Sequence, residues 1–185
     1  MKRYTLILAA LLYSCPGHGQ EINDSETADV YSCLITDKRE VYLRPQMGEH
    51  ILNEVYQHLA KRQFFKRVTI DGVLHADTLA LTKQERRFIL EAVKAQATKR
   101  WTKERMEAKG LSRFQLIDSS ATVRWPESDY IVYEVMEPVF IRNYTVCFAY
   151  YDYACGGLCG FGELSIWVKK EGKWVRWQDV FVINS

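Results

Sequence analysis

Cysteine offers the most chemistry in this chain, and two of its five cysteines, Cys155 and Cys159, are separated only by Gly156-Gly157-Leu158. Two glycines let the backbone reverse tightly enough for the two sulfurs to meet. The pair therefore reads either as a redox dithiol or as a structural staple. Thiol oxidoreductases use Cys-x-x-Cys at a helix N-terminus, where the helix dipole lowers the thiol pKa. Here the spacing is one residue longer and the flanks are strand-like, so a structural disulfide is the preferred reading. A zinc site would need a second close cysteine pair or a Cys/His partner motif, and neither is present.

The other candidates are weaker in chemistry. His50, Glu54 and His58 stand at four-residue steps, which aligns them along one line of a helix. Without an H-E-x-x-H pattern, a solvated flank of the helix is the preferred reading. Asp152 and Glu163 flank the cysteine loop and would make an acid–base pair if they met; polar residues at the ends of a hairpin are the plainer account. The chain has no G-x-S-x-G elbow, P-loop or GxGxxG. No catalytic residue, metal ligand or cofactor is assigned, and a non-enzymatic role is the leading expectation.

Aromatic residues are the remaining lead. Residues alternate faces along a strand, so Phe148 and Tyr150 share one side with Asp152, while Tyr151 and Tyr153 share the other with Cys147 and Cys155. An open face would offer Tyr151, Tyr153, Trp167 and Trp174 as a platform for sugar rings or a protein partner. A covered face makes the same rings core, which is the expected outcome.

These residues need elements to hold them. From Gly48 to about Arg62, Ile51, Leu52, Val55, Tyr56 and Leu59 recur at three- and four-residue spacing, which predicts an amphipathic helix. Residues 64–70 read as a strand ending at Asp71-Gly72. Thr82-Lys83-Gln84-Glu85 is a capping-box pattern, so a helix begins there and presents Phe88, Ile89, Ala92 and Val93. Lys99 to Lys109 fits a second helical piece or a loop. Residues 34–44 suggest an edge strand or irregular arm, and Phe114–Ile117 and Tyr130–Val135 suggest strands. Everything after Pro138 reads as sheet. Two successive hairpins turn at the cysteine loop and at Glu171-Gly172. The second turn sets Val168 opposite Val175, Lys169 opposite Trp174, Trp167 opposite Arg176, and Ile166 near Trp177. The expected fold is α+β, with N-terminal amphipathic helices packed on a mostly antiparallel C-terminal β-meander.

Residues 1–19 carry an export pattern: Lys2-Arg3, an apolar run from Tyr4 to Tyr13, then small and turn-forming residues. That run is about half of the ~20 residues a membrane-spanning helix needs, so it reads as a cleaved signal. Cleavage before Cys15, in the lipobox-like Leu12-Tyr13-Ser14-Cys15, would leave an acylated Cys15 as N-terminus; cleavage before Gln20 would leave a soluble chain. Polar residues 20–33 read as a tether, and 34–185 as a single globular domain. The expected location is outside the cytoplasm, as an outer-membrane or periplasmic lipoprotein, or as a secreted or periplasmic protein if Gln20 is the first residue. Contact with the membrane is expected only through the lipid.

In an oxidising compartment the four cysteines left after lipidation suggest two disulfides. Three pairings exist, and Cys155–Cys159 with Cys33–Cys147 is preferred. Lys2 and Arg3 account for the whole formal charge of +2, so the remainder is neutral and lacks the basic excess of a broad nucleic-acid surface. The expected partner is an envelope protein or a glycan.

The tail carries a resemblance. Pro138-Val139-Phe140, Tyr150-Tyr151, Cys155-Gly-Gly-Leu-Cys159-Gly-Phe-Gly162 and Lys169 through Trp174 resemble the shared tail of uncharacterised exported proteins and lipoproteins of Bacteroides-like bacteria. The resemblance covers about the last quarter of the chain. It implies export and brings no activity with it.

Overall fold

Apolar alternation broken by turn residues makes the C-terminal third a run of strands, and the earlier elements cover it. The computed structural model describes residues 24–36, 41–70, 73–117, 131–155 and 159–184. In order these form α1 (Asp24–Leu34), β1 (Val41–Leu43), α2 (Glu49–Leu59), β2 (Gln63–Ile70), β3 (Val73–Ala80), α3 (Lys83–Gln96), α4 (Lys103–Ala108), β4 (Gln115–Leu116), β5 (Ile131–Val135), β6 (Val139–Ile141), β7 (Val146–Ala154), β8 (Gly160–Lys170) and β9 (Lys173–Asn184). The protein is mixed α+β, and its C-terminal sheet is mainly antiparallel.

The main sheet runs β4-β1-β5-β7-β8-β9, with β6 also paired to β7. Strands β5 and β6 behave as one strand broken at Met136–Pro138, since Val135 faces Tyr151 and Val139 faces Phe148 on the same partner. Proline has no N–H to give to a ladder, so the chain leaves the sheet there and Glu137 turns out of register. At the β8–β9 turn, Glu171 and Gly172 take φ of 50° and 77°, the left-handed pair that matches the twist of a two-residue hairpin. Val168 faces Val175, Lys169 faces Trp174 and Trp167 faces Arg176, as the sequence predicts. An irregularity between Ile166 and Trp167 then slips the register by one residue, so Ile166 faces Gln178.

Both faces of the sheet are covered. On one, Val30, Tyr31 and Leu34 of α1, Trp101 and Met106 pack on Tyr133, Cys147, Tyr151, Trp167 and Trp174. On the other, Ile51, Leu52, Val55 and Leu59 of α2, with Ile89 and Val93 of α3, pack on Phe148, Tyr150, Leu164 and Ile166. Alternation along β7 divides the two cores as expected from the sequence. At the start of α3, Glu85 N–H donates to Thr82 Oγ1 at 3.1 Å and Thr82 N–H to Glu85 Oε2 at 2.8 Å, which closes the capping box.

Several expectations are corrected. Residues 24–33, read as part of a tether, form α1, and Thr27, Val30, Tyr31 and Leu34 are buried. Their i, i+3, i+4, i+7 spacing is a helical stripe, disguised because Thr27 and Tyr31 score as polar. The fold therefore includes the residues from Asp24 to Cys33 as well as those from Leu34 onward. Strand β1 lies inside the sheet, parallel to both β4 and β5, and not at an edge. Strand β3, which the sequence pattern does not predict, pairs with β2 in a separate antiparallel hairpin. The expected export signal, both expected cleavage sites and Cys15 lie outside the described residues.

Candidate functional site

The cysteine hairpin is built by β7 and β8, which pair in register from Val146 opposite Val168 to Ala154 opposite Gly160. That register brings the Cα atoms of Cys155 and Cys159 to 5.2 Å, and the two are disulfide-bonded. Cys155 N–H also donates to Cys159 O at 2.9 Å, so the bond closes a hairpin end that the backbone already forms. The second predicted pairing is corrected. Cys33 is exposed on α1 and Cys147 is buried in β7, and both are free thiols. Cys33 lies on the solvent side of its helix, while Cys147 points into the core, where burial pushes its thiol pKa well up.

The aromatic platform is also corrected. Trp167, Trp174 and Tyr151 are only 5%, 7% and 8% exposed. Tyr153 is half-buried, packed against Tyr133 at 5.5 Å and Phe161 at 6.0 Å. Trp167 Nε1 donates to Ser165 Oγ at 2.8 Å, and the Arg176 guanidinium sits 5.3 Å from its ring. Trp174 Nε1 donates to Glu26 Oε2 of α1 at 2.9 Å, and Lys169 both pairs with Glu26 and lies 5.6 Å from the indole. Indole N–H groups in a core need an acceptor, and these have one. The rings supply core and not an open face.

Asp152 and Glu163 do not meet. Asp152 sits opposite Gly162 and Glu163 opposite Tyr151, so the carboxylates project from opposite faces of the sheet. Glu163 is buried and accepts from Arg176 Nη1 at 2.9 Å; burial raises its pKa despite that cation. Asp152 instead lies across from Glu134 of β5. Tyr150 Oη donates to Asp152 Oδ2 at 3.0 Å, Arg44 pairs with Glu134 at 3.1 Å, and Gly48 N–H, at the start of α2, donates to Glu134 Oε2 at 2.8 Å. Burial, then the neighbouring Glu134 charge, pushes the Asp152 pKa up to about 6. Glycine at 162 is what permits this packing, since a Cβ there would lie 3.0 Å from both Asp152 Cβ and Tyr150 Oη. The His50, Glu54 and His58 line does not converge on a ligand position. His58 stacks on Phe181 at 4.3 Å, and burial, then Lys61, lowers its pKa.

A buried cluster of charges around Glu137 is a feature that the sequence pattern did not reveal. Glu137, 1% exposed, sits at the β5–β6 break. Its Oε2 accepts from Lys99 Nζ at 2.6 Å and Arg105 Nη2 at 2.7 Å, and its Oε1 lies 2.8 Å from Lys109 Nζ. Lys109 also bonds Asp24 of α1 at 2.7 Å. Burial works to raise the Glu137 pKa, but hydrogen bonds from Lys109 and Lys99 and the charges of Lys99 and Arg105 hold it below the ordinary carboxylate value. Two hydrogen bonds of 3.4 Å join the Gln96 amide to the backbone N–H and C=O of Glu137. The available signal was a lone glutamate beside a proline in the apolar run Val135-Met-Glu-Pro-Val-Phe140, a position where a charge needs a partner.

Among the described residues no group of three or more His, Cys, Asp or Glu is placed to hold a metal ion, and no helix is long and apolar enough to cross a membrane. No protein-family model matches the chain, and no curated protein or solved structure matches it either.

Proposed function

We propose that this is an exported protein of the cell envelope that acts by binding and not by catalysis, held at the membrane by a lipid on Cys15. The observation that carries the reading is the Cys155–Cys159 disulfide at the exposed end of a hairpin, a bond that persists in oxidising compartments and is rare in the cytosol. The export pattern of residues 1–19 and the resemblance of the tail to exported Bacteroides-like proteins agree with it. A binding role is supported by how three carboxylates, Glu137, Glu163 and Glu26, are each tied to cations, while Asp152 is held by the Tyr150 hydroxyl. The partner is an envelope component, and no nucleic acid is involved.

The test is to express the full chain from its own leader in a Gram-negative host and measure the intact mass and free thiols of the envelope-extracted protein. A chain beginning at diacylated or triacylated Cys15, with two of its remaining cysteines oxidised, is expected. A chain beginning at Gln20 would keep export and remove the lipid. One that retains Met1 in the cytoplasm, with all thiols free, would overturn the reading. Exposure of Cys159 favours a second reading, thiol exchange at the hairpin. Rapid reversible reduction by mild reductant would support it, and resistance would leave the bond a staple.

A further inference from the structure

Helices α2 and α3 pack side by side, and their outer surfaces bound a solvent-open groove of about 620 Å³. Its basic side comes from one line of α3. Lys83, Arg87, Leu90 and Lys94 stand at i, i+4, i+7 and i+11, which sets them along one face over about 16 Å at 1.5 Å per residue. Arg86 is the fourth cation of the groove, and its Nη1 donates to Ala60 O at the end of α2 at 3.3 Å. That bond fixes the guanidinium where the two helices meet. Tyr56 of α2 and Leu90 supply the apolar part of the lining; both are half-buried and packed on the core beneath, and Lys94 Nζ lies 5.0 Å from the Tyr56 ring.

Charge in the groove is uncompensated. Four cations and one acid, Glu91, line it, an excess of three positive charges in a chain whose formal charge beyond Lys2 and Arg3 is zero. Glu91 approaches Arg87 only to 3.8 Å, with the two side chains 69% and 75% exposed, so solvent screens the pair and neither group is fixed by it. The other acid of α3, Glu85, is engaged elsewhere: it closes the capping box with Thr82 and accepts from Arg142 Nε at 2.8 Å.

This placement works against the helix that carries it. Lys83, Arg86 and Arg87 crowd the first turns of α3, where the helix dipole disfavours cations. Lys83 and Arg87 are also like charges at i, i+4, which repel. An anion lying in the groove would relieve both effects. Cations strung over about 16 Å suit an extended polyanion better than a compact one, and guanidinium forks match carboxylate and sulfate groups. Tyr56 and Leu90 offer an apolar surface to the face of a sugar ring.

We propose that the α2–α3 groove binds an acidic polysaccharide, its carboxylate or sulfate groups on Lys83, Arg86, Arg87 and Lys94 and a sugar ring against Tyr56. The inference rests on the binding reading of the protein and names the class of its partner.

Biolayer interferometry on the full chain tests it, with dextran sulfate and polygalacturonate as ligands and uncharged dextran, polyglutamate and duplex DNA as comparators. Saturable binding of an acidic polysaccharide is expected, weakening as salt is raised. Dextran should not bind. Polyglutamate, which has no ring to lay on Tyr56, and a duplex, which winds its phosphates away from a straight line of cations, should each bind at least about tenfold more weakly. Lys83→Gln combined with Arg87→Gln, both at exposed positions, should weaken polysaccharide binding about tenfold, whereas Lys103→Gln combined with Lys173→Gln removes the same charge at exposed positions elsewhere and should leave it unchanged. Tyr56→Leu keeps the apolar packing and should erase the preference over polyglutamate. No saturable binding of either polysaccharide, equal binding of polyglutamate or DNA, or equal weakening by the two double variants would overturn the proposal. If Tyr56→Leu does not fold by circular dichroism, the comparison of polymers decides the ring contact. Polysaccharide recovered at unchanged chain length is expected; shortened chains would count against the binding reading while leaving the groove occupied. Loss of groove binding alone would leave the export assignment, which is judged by mass, untouched.

Discussion

Asp152 and Glu134 are cross-strand neighbours with like charge, and only one of them is secured by a cation and a helix N-terminus. Burial first, and then the Glu134 charge, hold the Asp152 pKa up at about 6 against an ordinary 3.8. A carboxyl whose folded pKa is raised favours folding below its unfolded pKa and loses that contribution as pH rises through the folded value. From pH 4 to pH 7 this group alone should remove about 2–3 kcal/mol of stability. Asp152→Asn should be more stable than the parent at pH 8 by a similar amount and equal to it near pH 4, as read by urea denaturation at the two pH values. Glu137 is the opposite case, a carboxylate among three cations. Glu137→Gln leaves those cations facing one another in a buried place. It should cost about 3 kcal/mol or more, seen as a fall in the denaturation midpoint at constant slope.

At the scale of elements, the two C-terminal hairpins are held by different means. The β8–β9 turn depends on backbone conformation alone: a Cβ on Gly172 would meet nothing within 4 Å, yet φ there is 77°. Gly172→Ala should therefore cost about 1–2 kcal/mol from the backbone only. Glu171→Asn, at φ 50°, should gain a few tenths of a kcal/mol, with both changes read from thermal unfolding. The β7–β8 hairpin adds a covalent tie across a very short loop, so replacing Cys155 and Cys159 by alanine should cost only about 2 kcal/mol. The same measurement under reducing conditions should bring the parent down to the variant.

At the scale of the whole molecule, the sheet is covered on both faces, which is unusual for a mainly antiparallel sheet. Helix α1 completes one of those faces, and Glu26 joins it to Lys169 and Trp174 on the last hairpin. A chain beginning at Ile35 would expose the groups that Val30, Tyr31 and Leu34 cover. It should lose about 5 kcal/mol, a fall in Tm of about 10–20 °C, together with increased binding of a hydrophobic dye. Under the proposed export, cleavage before Cys15 or before Gln20 would leave α1 in place, since α1 starts at Asp24.

Features set by neighbouring residues were legible in the sequence. The Thr82 capping box, the hairpin turn at Glu171-Gly172, the register of Val168 with Val175 and the Cys155–Cys159 bond each depend on a few adjacent side chains and on what glycine or threonine permits. Where local pattern was ambiguous, as in α1 with Thr27 and Tyr31 in its stripe, the sequence suggested a tether and packing decided for a helix. Only the tertiary structure could show that the aromatic face is closed, because closure depends on α1, far away in the chain. Only it could place Lys99 and Arg105 on Glu137, partners 38 and 32 residues distant. Such contacts follow from which faces the sheet brings together, and no local periodicity encodes that. By itself the sequence determined the turns, the cap and the staple; the fold decided which carboxylates are compensated and which aromatics are core.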